Sequence, residues 1–473
     1  MSEQADYGLI GLGTMGAMLS LNMADNGFRV AVHNRTASKI SKFVQDAGAL
    51  ADMLVPCETL EDFVAALKPP RAIVLMVPAG QPVDDQIAAL RPLLDQHDLI
   101  IDAGNANFHD STRRAQAAKA DGVPFLGVGV SGGAEGARFG PAIMGGGDRD
   151  AWDRVSPMLE AIAAKYKGQP CATYMGDGGA GHFVKTVHNG IEYADMQLIA
   201  ETYGIMRDGF GMTPNDCGDV FTRWNDGVLQ SYLIEISGKV ASAIDPDTGQ
   251  PMLDKILDSA GQKGTGRWTA IEAQMLGAPV TVIEAAVAAR NLSAGLSLRA
   301  KGEELFGKPT TAVDVKALDE NALRDALTVG KILCYAQGFD LLDKAAKENG
   351  WDLPMPAIAE VWREGCIIRS SMLNDMAKAL ADAPDNLILA PYFADIISDR
   401  LPMLRKVVVT AAGAGLPVPA LAAALTYFDT VTQARGTANM IQAQRDYFGA
   451  HGFKRIDKDG EDFHGPWLNQ HLN

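Results

Sequence analysis

The stretch YGLIGLGTMG, residues 7–16, decides the fold. A short apolar run leads into Gly11, Gly13 and Gly16, spaced as G-x-G-x-x-G, and a helical pattern follows from Thr14 to Asn26. Glycines at this spacing permit a tight turn and let a pyrophosphate approach the backbone at a helix N-terminus. The stretch therefore predicts the first strand–turn–helix unit of a dinucleotide-binding sheet.

The N-terminal third continues this alternation of apolar runs and helical patterns. Further strand candidates are FRVAVHN (28–34), AIVLMV (72–77), LIIDAG (99–104), FLGVGV (125–130), AIMGGG (142–147) and ATYMG (172–176). Such alternation predicts a doubly wound, largely parallel sheet. From about Gly181 the pattern changes to long helical stretches.

The sequence predicts three regions. We expect a Rossmann-like α/β domain over residues 1–179, a large all-α domain over 180–435, and an extended C-terminal tail over 436–473. The tail is expected because its last thirty or so residues are polar and contain several glycines.

The helical region contains an internal sequence similarity. Residues 197–227 resemble residues 337–365, with Trp224 and Trp362 at matching positions. This similarity predicts a duplicated helical unit, the alternative being a chance match between two sets of amphipathic helices.

Composition narrows the classes of partner. The formal net charge of -16 argues against nucleic acid, whose phosphates require a basic surface. Any anionic substrate must then be captured by a local basic pocket. Five scattered cysteines without a C-x-x-C pair indicate neither a disulfide framework nor a zinc site. Without a signal core or a run long enough to cross a bilayer, the chain is expected to be cytoplasmic.

The end of the second strand predicts the type of dinucleotide. It reads HNRT, with Asn34, Arg35 and Thr36 where NAD sites usually carry Asp or Glu. Arg35 can pair with a 2′-phosphate and stack on adenine. Charge-assisted bonds of roughly 1.5–3 kcal/mol would favour NADP about 10- to 150-fold. The alternative is an ordinary surface arginine.

One predicted helix, residues 181–206, carries an unusual polar set. Lys185, His188, Asn189 and Glu192 fall within roughly 100° of helical arc and so share one face. A solvated face is the simpler interpretation. A glycine at 190, inside the helix, counts against it because such a residue costs about 1 kcal/mol relative to Ala.

Two other glycine-rich stretches are candidate anion sites. Backbone N–H groups around Ser131, Gly132 and Gly133 could hold a carboxylate or oxyanion, unless this is only a turn at a sheet edge. The stretch GQKGTGRW lacks the P-loop spacing, so we interpret Lys263, Thr265 and Arg290 as a monophosphate clamp.

Several motifs together resemble the decarboxylating 6-phosphogluconate dehydrogenases. They are GLGTMG, HNRT, DAGN, GVSGGAEGARFGP, GAGHFVKTVHNGIEYADMQLIAE, GQKGTGRW and RDYFGAHGF, and they extend from the first strand to the tail. The resemblance implies NADP-dependent oxidation and decarboxylation of 6-phosphogluconate to ribulose 5-phosphate in the pentose phosphate pathway. It also implies a homodimer in which the tail reaches the neighbouring subunit.

The resemblance assigns roles to individual residues. Lys185 is the expected base for the C3 hydroxyl, and Glu192 the expected acid that protonates C1 of the enediol. The expected substrate-binding residues are Asn105, Ser131, Gly132, Gly133, His188, Asn189, Tyr193, Lys263, Thr265 and Arg290, with the partner subunit's Arg445 and His451. The expected cofactor-binding residues are Gly11, Leu12, Gly13, Thr14, Met15, Gly16, Asn34, Arg35, Thr36, Val77, Pro78, Ala79 and Asn105. We expect no metal, since no ligand cluster has metal spacing.

Two departures from the family pattern stand near the cofactor. Pro78 replaces a usual Lys, which removes a charge and an N–H, and Ala103 replaces a Gly. Two alternatives remain open at this stage. One is a related β-hydroxyacid dehydrogenase acting on a small 3-hydroxy acid, which Pro78 alone favours. The other is a catalytically silent NADP-binding protein.

Overall fold

The computed structural model describes residues 4–262, 264–308, 312–313, 318–382 and 384–467. The chain forms two compact units, Met1–Ala424 and Leu425–Asn473. In the described ranges, no helix has the length and apolar character needed to cross a bilayer.

The first unit is built on an eight-stranded sheet in the order β10-β7-β6-β5-β4-β1-β2-β3. Its neighbours pair in parallel except β6 and β7, which are antiparallel. The strands are β1 (Tyr7–Ile10), β2 (Val30–His33), β3 (Leu54–Cys57), β4 (Ala72–Leu75), β5 (Leu99–Asp102), β6 (Phe125–Val130), β7 (Ile143–Gly147) and β10 (Ala172–Gly176), with β8 (Lys165–Tyr166) and β9 (Gln169–Pro170) in a separate ribbon. The first six strands have the doubly wound order of dinucleotide-binding sheets.

Helices cover both faces of the sheet and are the main elements of the described chain after β10. They are α1 (Thr14–Asp25), α2 (Ala37–Asp46), α3 (Leu60–Ala65), α4 (Gln81–Leu90), α5 (Phe108–Asp121), α6 (Gly133–Phe139), α7 (Arg149–Ile162), α8 (Ala180–Gly204), α9 (Pro214–Trp224), α10 (Tyr232–Ala241), α11 (Thr265–Met275), α12 (Thr281–Ser293), α13 (Leu296–Phe306), α14 (Glu320–Asn349), α15 (Met355–Val361), α16 (Met372–Ala381), α17 (Pro391–Gly413), α18 (Pro419–Val431) and α19 (Ala438–Gly449). Short 3-10 helices are Gly48–Met53, Arg91–Leu93, Met252–Lys255 and Leu387–Leu389, and Ile205–Gly209 is π-helical.

Burial on both faces explains the continuous apolar strands. Successive side chains of a strand point to opposite faces, so Leu9 and Val74 belong to one core layer and Ile10 and Ile73 to the other. A parallel sheet covered by helices on both sides needs apolar residues at every position. This requirement explains the continuous apolar runs in the sequence that predict the sheet.

The predicted fold class is confirmed, and the differences lie in short elements. All seven predicted strands are present, but β3 was missed because Leu54–Cys57 includes Pro56 and is buried only at its two ends. The two-residue strands β8 and β9 were also missed. The tail, expected to be extended, begins with helix α19.

The two predicted copies of the helical unit share a succession of elements. In each, a long helix, α8 or α14, is followed by a shorter one that ends at or beside Trp224 or Trp362. Helices α8 and α14 also pack closely together. A Cβ at Gly338 would lie only 2.6 Å from Cδ1 of Ile191.

The second unit is organised around one buried carboxylate. Asp446 of α19 accepts hydrogen bonds from the N–H groups of Gly452 (3.1 Å) and Gly465 (2.8 Å) and from Nε1 of Trp467 (2.8 Å). Nδ1 of His464 lies 2.6 Å from the same carboxylate. These donors, the Gly465 N–H first, lower the pKa of Asp446 to about 2.

A buried ion pair joins the two long helices of the first unit. The Lys331 ammonium on α14 contacts both carboxylate oxygens of Asp195 on α8 at 2.7 Å, and both side chains are almost fully buried. Removing one member of such a pair leaves an uncompensated charge in the core.

Lys331→Met should therefore lower the free energy of unfolding by about 3–5 kcal/mol, measured by urea denaturation. Lys347→Met is the matched control, because Lys347 lies on the same helix in an exposed pair with Asp343 and should change stability little. Equal losses in the free energy of unfolding for the two substitutions would show that the buried pair contributes no more to stability than the exposed pair.

Candidate active site

A cavity of about 710 Å³ lies at the carboxyl ends of β1, β2, β4 and β5. This volume is in the range of small-molecule and cofactor sites. The structure brings together at its wall most of the predicted cofactor residues: Gly11, Gly13, Thr14, Met15, Gly16, Asn34, Arg35, Thr36, Val77, Pro78 and Asn105.

The glycine turn at the start of α1 fits a pyrophosphate. Gly11 has φ +106°, and a Cβ there would lie 2.5 Å from the carbonyl oxygen of Met76. A Cβ at Gly13 would meet no other atom, so the backbone is open at this point. Helix α1 has no side-chain cap and no acidic residue in its first turn. Its first N–H groups are therefore free to hold an anion.

The end of β2 fits a 2′-phosphate. Asn34 is fixed because its Oδ1 accepts the Leu12 N–H at 3.1 Å, and Arg35 is exposed at the cavity wall. Lys39, which was not among the predicted cofactor-binding residues, also lines the cavity. The signal was a second basic residue close after Arg35, in the first turn of α2.

Two predicted cofactor residues do not line this cavity. Leu12 is buried and contributes its backbone N–H to Asn34, and Ala79 is exposed outside the wall. Their contribution to cofactor binding stays a prediction. Met76, Asp85 and Gln86 line the cavity and were not predicted.

A buried arginine fixes the loop that contains Pro78. Arg114 donates to the carbonyl of Gly80 at 2.9 Å and forms a two-pronged pair with Asp84 at 2.9 and 3.0 Å. Its third contact is with Asp102, at the end of β5, at 3.4 Å. Arg114 thus ties together the ends of β4 and β5, the edge at which Pro78 enters the cavity wall.

Lys185 lies in a polar cluster beside the cavity. Its ammonium donates to Oδ1 of Asn189 at 2.7 Å and to Oγ of Ser131 at 3.0 Å, and lies 3.2 Å from Nδ1 of His188. Ser131 directly follows Val130, which lines the cavity. The predicted polar face of α8 is therefore an interior site, since Lys185 is only 6% exposed. The alternative of a solvated face is wrong.

Burial displaces the pKa of each titratable group in the cluster. It lowers the pKa of Lys185 and raises the pKa of Glu192. Burial, and then the nearby Lys185, lower the pKa of His188 well below its ordinary value. Nδ1 of His188 lies 3.9 Å from a carboxylate oxygen of Glu192. The helix therefore brings into one cluster a lysine whose pKa is lowered and a glutamate whose pKa is raised.

The loop after β6 meets this cluster. Gly132 and Gly133 have φ +100° and +62°. The hydroxyl of Ser131 lies between Nε2 of His188, at 3.3 Å, and Lys185. Ser131 thus orients both side chains through its hydroxyl. This role is additional to the anion-binding turn that the sequence predicted.

The predicted phosphate clamp lies at the start of α11. Thr265 begins the helix after Gly264, and the Arg290 guanidinium stacks 3.6 Å from the ring centroid of Tyr193 on α8. Arg290 also donates to the carbonyl of Gly261 at 3.0 Å. Lys263 lies outside the described residues.

The two predicted tail residues belong to the second unit. Arg445 lies in α19, and His451 lies just beyond its end with its ring 6.0 Å from that of Phe448. Their role in a partner's site stays a prediction.

A dinucleotide cavity beside a buried, hydrogen-bonded amine defines the class of the protein, a dinucleotide-dependent dehydrogenase. Comparison with known proteins narrows it. Residues 6–176 match the NAD binding domain of 6-phosphogluconate dehydrogenase, and residues 181–467 match the C-terminal domain of 6-phosphogluconate dehydrogenase. The chain belongs to the 6-phosphogluconate dehydrogenase family.

Individual relatives match over nearly the whole chain. Identity is 47% to the 6-phosphogluconate dehydrogenase, decarboxylating, of Haemophilus influenzae, covering 99% of this chain and 98% of that one. It is 46% to the 6-phosphogluconate dehydrogenase, NADP(+)-dependent, decarboxylating, of Bacillus subtilis, covering 99% and 100%. The solved Plasmodium falciparum 6-phosphogluconate dehydrogenase, described in its apo form and with NADP+ or 6-phosphogluconate, superposes with a TM-score of 0.95 at 41% identity, covering 98% and 100%. The predicted family is confirmed, and the roles of single residues stay predictions.

The geometry at the end of β2 predicts how the chain discriminates between dinucleotides. Arg35→Leu should weaken NADP binding about 10- to 150-fold, because a charge-assisted bond to the 2′-phosphate is lost, and should weaken NAD binding much less, because NAD loses only the stacking on adenine. Calorimetric titration with each dinucleotide measures both effects.

The matched control is Lys42→Leu, which removes a positive charge from α2 at a position outside the cavity wall. It should change neither affinity by more than about twofold. Equal losses of NADP and NAD affinity in Arg35→Leu would contradict the assignment of Arg35 to the 2′-phosphate.

Proposed function

We propose that this chain catalyses the oxidation and decarboxylation of 6-phosphogluconate to ribulose 5-phosphate, with NADP as the oxidant. The observation that carries the proposal is the buried Lys185 beside the dinucleotide cavity, on the same helix as Glu192. Full-length similarity to relatives named for this reaction supports it. The same similarity, which includes the whole helical half, disfavours the smaller 3-hydroxy acid dehydrogenases.

Lys185 is suited to remove the proton from the C3 hydroxyl. Burial lowers its pKa, which raises the fraction of neutral amine near neutral pH. Ser131 and Asn189 hold the nitrogen in place, so little reorganisation is needed when the substrate arrives. NADP, when bound, accepts the hydride from C3.

The same lysine then assists the loss of the carboxylate. After taking the proton, the Lys185 ammonium can donate a hydrogen bond to the new C3 ketone. The C1–C2 bond then breaks and C1 leaves as carbon dioxide. The electrons of that bond form the C2–C3 double bond while Lys185 returns its proton to the C3 oxygen, which gives the enediol. Glu192 then donates a proton to the former C2, which becomes C1 of ribulose 5-phosphate, while Lys185 takes back the proton of the neighbouring hydroxyl and the ketone forms again. Glu192 suits this role because burial raises its pKa and keeps more of it protonated.

The remaining predicted residues would hold the ends of the substrate. His188, Asn189 and Tyr193 would position the substrate, with Asn105 and the Ser131–Gly133 loop near its carboxylate and hydroxyls. Thr265, Arg290 and Lys263 would bind its phosphate, with the partner subunit's Arg445 and His451 in a cytoplasmic homodimer. We propose a corresponding division into a cofactor domain (1–179), a substrate and dimerisation domain (180–435) and a tail (436–473).

The proposed reaction predicts three products in equal amounts. Wild-type protein given 6-phosphogluconate and NADP should form NADPH, carbon dioxide and ribulose 5-phosphate in a 1:1:1 ratio, with slower turnover on NAD. Spectrophotometry, carbon dioxide trapping and chromatography on the same samples measure them. NADPH without carbon dioxide would indicate a simple hydroxyacid dehydrogenase, and no turnover would reject the proposed substrate.

Substitution of the proposed base separates chemistry from cofactor binding. Lys185→Met should abolish hydride transfer, because no neutral amine remains to take the hydroxyl proton. NADP affinity should stay within about twofold, since Lys185 does not line the cavity. Single-turnover absorbance and calorimetry give the two quantities.

Lys119→Met is the control for loss of an exposed lysine, and full activity is expected because its ammonium pairs only loosely with Asp177 at 3.7 Å. A Lys185→Met protein that fails to bind NADP would show that the lysine acts in cofactor binding instead.

A further inference from the structure

Helix α11 is anchored to α8 by a buried hydroxyl. The Oγ1 of Thr269 donates to the backbone carbonyl of Thr186 at 2.7 Å, and Thr269 is fully buried. Thr186 directly follows Lys185 in the chain. Gly190 makes this approach possible, because a Cβ there would lie 2.5 Å from Cγ2 of Thr269. The glycine that the sequence placed inside a helix therefore has a packing reason.

A second close contact fixes the start of the same helix. A Cβ at Gly266 would lie 2.4 Å from Cδ2 of Tyr193, so the first turn of α11 rests directly on that ring. The Arg290 guanidinium stacks on the ring as well. Two glycines, one on each helix, thus bring α11 and α8 together at two points about one turn apart.

We infer that Thr269 is a positioning residue that transmits the hold on the substrate phosphate to Lys185. The inference rests on the proposed function, in which the first turn of α11 and Arg290 bind that phosphate. Thr269 lies one turn after Thr265, and its hydroxyl reaches the carbonyl beside the catalytic lysine. Binding energy from a remote group can then hold the base at the reacting carbon.

The alternative is that Thr269 only stabilises the fold. That role would reduce the amount or stability of active enzyme equally for all substrates. A coupling role instead makes the loss depend on the phosphate. Gluconate, which has the same reacting carbons without the phosphate, separates the two.

The experiment compares kcat/KM for 6-phosphogluconate and gluconate in wild type, Thr269→Val and Thr269→Ser. Valine keeps the shape and removes the hydroxyl, whereas serine keeps the hydroxyl. The ratio of the two kcat/KM values should fall about 3- to 10-fold in Thr269→Val, mainly through kcat for 6-phosphogluconate, and return toward wild type in Thr269→Ser. Because the ratio is taken within one preparation, any loss of folded enzyme cancels.

Three results have distinct meanings. A lower ratio in Thr269→Val that Thr269→Ser restores supports the inference. An unchanged ratio in Thr269→Val, whether both values fall or neither does, overturns it. Failure of the wild-type enzyme to turn over 6-phosphogluconate would instead reject the proposed function, together with the inference that rests on it.

Discussion

The burial of helix α8 is the constraint on which the rest of the first unit depends. The helix passes through the interior, packed against the sheet, α11 and α14, so each of its charged groups needs a partner. Asp195 has the Lys331 ammonium, and Glu201 accepts the N–H groups of Ala420 and Leu421 at 2.8 and 2.9 Å. Lys185, like Glu201 and unlike Asp195, has neutral direct hydrogen-bond partners, Ser131 and Asn189. What distinguishes Lys185 is its place beside the dinucleotide cavity, next to the loop that follows Val130, and the proposed chemistry is assigned to it.

The elements predicted best from the sequence are those with an obligatory composition. Strands buried on both faces must be apolar, and the turn before α1 must contain Gly11 because a Cβ there would strike the Met76 carbonyl. Strand β3, whose middle residues are not buried, and helix α19 have no such constraint. Strand β3 is stabilised by pairing with β2, and α19 by the donors that surround Asp446, which are contacts between distant residues. Local sequence patterns do not predict such contacts.

The site shows the same division. The polar set on α8 was visible because helical spacing places Lys185 and Asn189 on one face, yet that pattern also suited a solvated surface. Only packing shows that the face is interior and that Ser131, from another element, completes the cluster. Thr269 was missed for a related reason. Its hydroxyl looks ordinary in sequence and gains its role from the carbonyl of Thr186, 83 residues away.

The acidic composition raises the question of how the protein would hold two anionic ligands. The two predicted anion sites have a feature in common. Helices α1 and α11 both begin after a glycine, Gly13 or Gly264, and neither has a side-chain cap. Neither described helix has an acidic residue in its first turn. By contrast, α7 and α14 are capped by the aspartates Asp148 and Asp319, each of which accepts one N–H group of the first turn. Uncapped helix starts leave backbone donors and a positive dipole end for a phosphate, and the short range of that field lets it act within a surface of net negative charge.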